Sequence, residues 1–74
     1  MGRLPSISAK QMIRVLGKAG FVVRRQSGSH IVMVREIPKY CEVVVPNHKA
    51  LKIGLTHALI KQAGLIKEEF EDLL

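Results

Sequence analysis

The sequence predicts a small α+β domain of order α-β-β-β-α with a short C-terminal helix, its three-stranded antiparallel sheet carrying the helices on one face. Three observations predict it. Apolar residues recur at helical spacing on either side of the chain's middle, as Met12, Ile13, Leu16 and Ala19 before it and Leu55, Leu59 and Ile60 after it. Between them the period changes to strand type in three runs, residues 21–26, 30–35 and 42–46. The links between those runs are short, which makes consecutive strands antiparallel neighbours in a meander. Such a sheet, covered on one side, leaves its other face open to bind something.

Each element has its own local signals. Residues 1–5 read as a flexible or extended lead-in, since Pro5 disfavours helix in the residue before it. A helix start follows, with Ser8 as cap, Gln11 three later as its capping-box partner, and Ile7 with Met12 at the spacing of a hydrophobic staple. Lys10, Arg14 and Lys18 form a basic row beside the apolar stripe, and Gly20 is placed to end the helix in the left-handed conformation. Gly17, inside that helix, costs about 1 kcal/mol against alanine, so it either permits close packing or marks an earlier end. The run after His30 is apolar on both faces, which suits a central strand or one covered by a partner. Pro38 interrupts the next link and Pro46 stops the third strand. The basic connector Asn47-His48-Lys49-Ala50-Leu51-Lys52 leads into a second helix at roughly residues 55–63, stopped by Gly64. A last helix over residues 67–74 is apolar through Phe70, Leu73 and Leu74.

Length and charge bound the function. With 74 residues the chain is a single domain, residues 1–74, that buries about 60% of its unfolded surface and has no room for a cofactor domain or a deep cavity. One cysteine, Cys41, excludes an internal disulfide and reads as an inert thiol. With no signal-type start and no apolar run that could span a bilayer, the expected location is cytoplasmic. The formal charge is +6, but four of the six acids (Glu68, Glu69, Glu71, Asp72) fall in the last seven residues. Up to Lys67 the chain carries 12 basic residues against Glu36 and Glu42, a body near +10 that attracts nucleic acid. No basic block with an adjacent lipid anchor supports a membrane partner, and the scattered Cys41, His48 and acids make no metal-ligand set.

The stretch that joins these properties is Arg24-Arg25-Gln26-Ser27-Gly28-Ser29-His30. Gly28 tolerates a positive φ and lets backbone or ligand approach closely, Ser29 favours a turn, and His30 opens the following strand. Arg24 and Arg25 bring fixed positive charge to a titratable imidazole, a pairing suited to a phosphodiester. Ser-Gly-Ser between apolar runs is equally an ordinary hairpin signal, and a lone histidine at a strand end is often only a surface residue.

Beyond these local patterns the sequence resembles the HicA-type toxins of toxin–antitoxin pairs over nearly its whole length. The likeness rests on Lys18-Ala19-Gly20-Phe21, Arg25-Gln26-Ser27-Gly28-Ser29-His30, Val45-Pro46-Asn47-His48, and Lys61-Gln62-Ala63-Gly64-Leu65 followed by Glu68-Glu69-Phe70, in that order and spacing. It implies a double-stranded-RNA-binding-domain-like fold, an endoribonuclease acting on mRNA, and neutralisation by a HicB-type antitoxin covering the active face. The family's essential histidine, in its Gly-Ser-His motif, falls on His30. The sequence departs from the pattern at Ile31 and Val32, where many members carry a second histidine or an aromatic residue, at Leu55 in place of threonine, and at Ile66 in place of a capping serine.

The chemistry expected is metal-independent and cofactor-free cleavage, with His30 as the catalytic residue and Arg24, Arg25, Gly28, Ser29, His48, Lys49 and Lys52 as the RNA-binding set. His48 is a nominee for the second proton-transfer group or, equally, a loop-tethering histidine; His57 lies within the second helix and is structural or exposed. Two other readings compete. A non-catalytic module could read the shape of duplex RNA through the first helix, the turn and the connector. A protein–protein adaptor would explain the two-faced apolar second strand.

Overall fold

A computed structural model describes residues 6–74; the expected lead-in over residues 1–5 lies outside them. The order is α1 (Ala9–Lys18), β1 (Val22–Ser27), β2 (His30–Arg35), β3 (Cys41–Pro46), α2 (Ile53–Gln62) and α3 (Lys67–Leu73). Both strand pairs are antiparallel and β2 is central. This is the expected α-β-β-β-α arrangement with its added helix, compatible with the double-stranded-RNA-binding-domain-like fold. Boundaries move by a residue or two: β1 starts at Val22 and β3 at Cys41, and α2 begins at Ile53 rather than at 55. Among the described residues no helix is long and apolar enough to cross a membrane.

The first helix starts as its sequence dictates. The Gln11 N–H donates to Ser8 Oγ at 3.1 Å and the Ser8 N–H donates to Gln11 Oε1 at 2.9 Å, a complete capping box. Ile7 and Met12 are both buried, and Gly20 ends the helix at φ +100°. The helix runs through Gly17, and a Cβ placed there would meet nothing within 4 Å. Gly17 therefore serves neither of the purposes its position suggested. Helices α2 and α3 start on Lys52 and Ile66, neither of which caps through its side chain; at α3 the Ile66 N–H is held by Glu69 Oε1 at 2.9 Å.

The core lies between the helices and one face of the sheet. Ile31 and Met33 from β2, with Val43 and Val45 from β3, meet Met12, Val15 and Leu16 of α1, Leu59 and Ile60 of α2 and Phe70 of α3. Helices α1 and α2 lie against β3, so β1 overhangs the helical layer and all six of its residues are exposed. Val32 and Val34 point to the other face and are still buried, because central β2 is flanked on both sides. Cys41 is half-buried with its thiol donating to the Gln62 carbonyl at 3.0 Å.

Candidate active site at the hairpin turn

The turn between β1 and β2 has two central residues, Gly28 and Ser29, with Ser27 paired to His30. Gly28 takes φ +57° and Ser29 stays negative, the sign pattern of a type II′ turn, whose twist matches that of the strands it joins. His30 is therefore the first residue of the central strand, pinned between Ser27 on one side and Pro46 on the other. Its side chain is exposed and lies on the face turned away from the helices, with Val32 and Val34.

A bulge decides where the arginines go. Val23 pairs with Met33 and Arg25 with Val32, so Arg24 is the extra residue and the alternation of β1 is reset across it. Without the bulge Arg25 would fall on the helix side; with it, Arg25 shares the open face with His30. Arg24 reaches across β2 instead, its Nη1 at 3.5 Å from Tyr40 Oη, while the Tyr40 hydroxyl donates to Glu42 Oε1 at 2.8 Å. Hydrogen bonding to the Glu42 carboxylate, reinforced by desolvation and the carboxylate's charge, raises the Tyr40 pKa above the ordinary 10.0, with Arg24 pulling the other way. Arg24 is thus partly engaged away from the turn, and Arg25 is the closer charge to His30 along the ladder.

The connector closes the other side of the site. The Asn47 N–H donates to the Ser29 carbonyl at 2.6 Å, extending the β2–β3 ladder past its last strand pair and up to the turn. His48 donates its N–H to the Pro46 carbonyl at 2.9 Å, and its own carbonyl accepts from the Ala9 N–H at 3.0 Å. Leu51 bridges to Ile7. The turn, the connector and the start of α1 consequently meet at one corner of the molecule. Gly28, Ser29, His30, His48 and Lys49 belong to that corner, and Arg25 borders it along β1. Lys52 stands farther along, exposed at the α2 N-cap. His57 is exposed on α2.

Asn47 is the residue whose role the sequence did not announce, since what it contributes is a main-chain N–H. The only hint was its position directly after Pro46, where the strand must end but the chain can still pair. Of the three aromatics, Phe21 and Phe70 are buried and only Tyr40 is available to a ligand. Among the described residues no three histidine, cysteine, aspartate or glutamate side chains converge to hold a metal ion.

A family model described as HicA toxin of bacterial toxin–antitoxin matches residues 9–65, from the first residue of α1 to just beyond α2. The chain belongs to the HicA toxin family. The match contains His30, its turn and the connector, and leaves α3 and the residues before α1 outside. No functionally curated protein matches the chain. Membership makes this chain the toxin half of a toxin–antitoxin pair, and the resemblance read from Lys18-Ala19-Gly20-Phe21 onward is thereby supported at the level of the family.

Proposed function

We propose that this HicA-family toxin is a metal-independent endoribonuclease that cleaves mRNA in the cytoplasm with His30 as its general acid/base, and that a HicB-type antitoxin neutralises it by covering the sheet face and turn. The observation that carries this reading is an exposed imidazole on a strand start, next to a glycine turn open to close approach, with Arg25 on the same face and the connector that carries His48 and Lys49 bonded to the turn through Asn47.

RNA holds its own nucleophile. His30 takes the proton of a 2′-hydroxyl as that oxygen attacks the adjacent phosphorus; the bond from phosphorus to the 5′-oxygen breaks, and that oxygen takes up a proton as it leaves. The products are a 2′,3′-cyclic phosphate and a 5′-hydroxyl. Imidazole exchanges protons near neutral pH, which suits both steps. Arg25 and Lys49, with Arg24 and Lys52 farther out, offset the charge that builds on the phosphate oxygens. The Gly28-Ser29 turn gives the phosphate room to approach, and His48 is our nominee for protonating the leaving oxygen.

The test is incubation of a naked transcript with the chain and with His30→Ala, in the presence of EDTA, followed by analysis of fragment ends. Cleavage that leaves cyclic phosphate and falls by about 10²–10⁴-fold in the variant is expected. Ends bearing 5′-phosphate, or activity abolished by EDTA and restored by a divalent ion, would overturn the mechanism. If both chains bind RNA equally and neither cuts, the fold acts as a non-catalytic RNA-binding module.

A further inference from the structure

We propose that RNA engaged at His30 leaves the turn along one defined path, through the hollow between the connector and the start of α1 and onward to Arg14. This rests on the ribonuclease reading and names the route of its substrate.

The hollow holds about 410 Å³ and is lined by Ser8, Lys10, Asn47, His48 and Lys49. Among the described residues its basic side chains come from two separate elements, Lys10 from α1 and the others from the connector, and no acid lines it. The main chain beneath is already satisfied: Asn47 is bonded to Ser29, His48 to Pro46, and Ala9 to His48. A ligand there meets side chains on a fixed floor. Cations spread over two elements can hold successive phosphates of one strand.

Charge favours one direction of travel. Toward the far end of the sheet Glu42 stands opposite Val34 and offsets the charge of Arg24, which reaches Tyr40 beside it. On the α1 side Lys10 and Arg14 are both exposed and stand one helical turn apart, about 6 Å. Lys18 would continue the row, but its Nζ donates to the Leu73 carbonyl at 3.1 Å and faces α3 instead. The track therefore stops at Arg14, and what looks in sequence like a row of three is a pair.

The decisive experiment measures fluorescence anisotropy of uncleavable 2′-O-methyl RNAs of about 4 and about 12 nucleotides with the full chain, the double variant K10A/R14A, and K61A as a charge control on α2. For the longer RNA, K10A/R14A should lose about tenfold in affinity, and the salt slope should shrink by roughly 1.4, as two lost phosphate contacts require. K61A should match the parent chain. In cleavage of a long transcript, the double variant's loss should appear in KM with kcat retained. The track is overturned if K10A/R14A loses no more than K61A, or loses equally on short and long RNA; unchanged RNA binding with weakened antitoxin binding would assign these cations to the protein partner. Because the RNAs are uncleavable, the binding result stands even if the parent chain proves unable to cut, an outcome that removes the ribonuclease reading and leaves the path.

Discussion

The guanidinium of Arg35 lies over the ring of Phe21, 4.7 Å from its centroid. From that position Nη1 donates to the Ala19 carbonyl at 3.2 Å and Nη2 to the Ala63 carbonyl at 3.3 Å. Ala19 and Ala63 are the C-caps of α1 and α2, so one planar fork satisfies the ends of both helices and places positive charge at both negative dipole ends. The last residue of β2 thereby ties the sheet to the two helices that cover it.

Replacing Arg35 by alanine should lower stability by about 2–3 kcal/mol, because two charge-assisted bonds and the contact with Phe21 are lost together. Lysine keeps the charge but has no fork to serve both carbonyls, so it should recover less than half of the loss. Urea unfolding of the two variants measures this directly; a lysine variant as stable as the parent would mean that charge alone matters.

Gly17 and Gly20 should respond to alanine in opposite directions. At Gly17 the helix is regular and the added methyl meets nothing within 4 Å, so the variant should gain about 0.5–1 kcal/mol, a rise of several degrees in Tm. At Gly20 the φ of +100° is strained for any L side chain, and the new Cβ would lie 3.2 Å from Arg35 Cδ. That variant should lose about 1–2 kcal/mol. Thermal melts of both, side by side, check the pair.

Helix α3 carries half a capping box. Glu69 already holds the Ile66 N–H, and Ile66 has the extended backbone of an N-cap, φ −97° and ψ 163°, with a largely exposed side chain. Ile66→Ser should complete the box and stabilise the domain by about 0.5–1 kcal/mol. A destabilised variant would show that the exposed isoleucine packs to more effect than the missing cap.

Tyr40 is the only tyrosine and there is no tryptophan, so its phenolate can be followed alone by near-ultraviolet absorbance. Its bond to Glu42, the largest cause, favours the neutral phenol and places the folded pKa above the unfolded value of 10.0. The sign follows: the stabilisation is fully present below pH 10 and is lost as pH rises through the higher folded value. Glu42→Gln should bring the titration down toward the ordinary value, and Arg24→Ala should move it up. Glu42→Gln without effect would remove the Tyr40–Glu42 bond from the account.

Much of this architecture was legible from local chemistry. Ser8 and Gln11 announced a capping box, Gly20 and Gly28 announced positive φ, and the unbroken apolar run after His30 announced a central strand; each of these is settled by a residue and its near neighbours. What the sequence could not show depends on distant partners. The bulge at Arg24 inserts one residue without any composition signal, yet it decides which arginine shares a face with His30. Lys18 looks identical to Lys10 and Arg14 in the periodic pattern and differs only because Leu73 lies beside it. Arg35 reads as the polar end of a strand, and its grip on two helix ends appears only once both helices are folded against it. The candidate site divides the same way: Gly28-Ser29-His30 was visible, while the Asn47 to Ser29 bond that brings His48 and Lys49 to it was not.

Gly28 offers a way to separate the fold from the chemistry. At the first central position of its type II′ turn, φ +57° is backbone that glycine adopts freely and L side chains rarely do, while a Cβ there meets nothing within 4 Å. With no steric clash to add to that strain, Gly28→Asn should still fold, at a cost of about 1–2 kcal/mol. Its side chain would nevertheless stand in the space through which a phosphate reaches His30. On the ribonuclease reading, cleavage by this variant should fall by about tenfold or more, far beyond what so small a change in the folded fraction can produce. Gly28→Ala, which adds only a methyl, should lose less activity and at least as much stability. The ordering of the two variants is what decides: if activity follows stability in both, Gly28 serves the turn alone, and if the asparagine variant is stable and inactive, the glycine keeps the approach to His30 open.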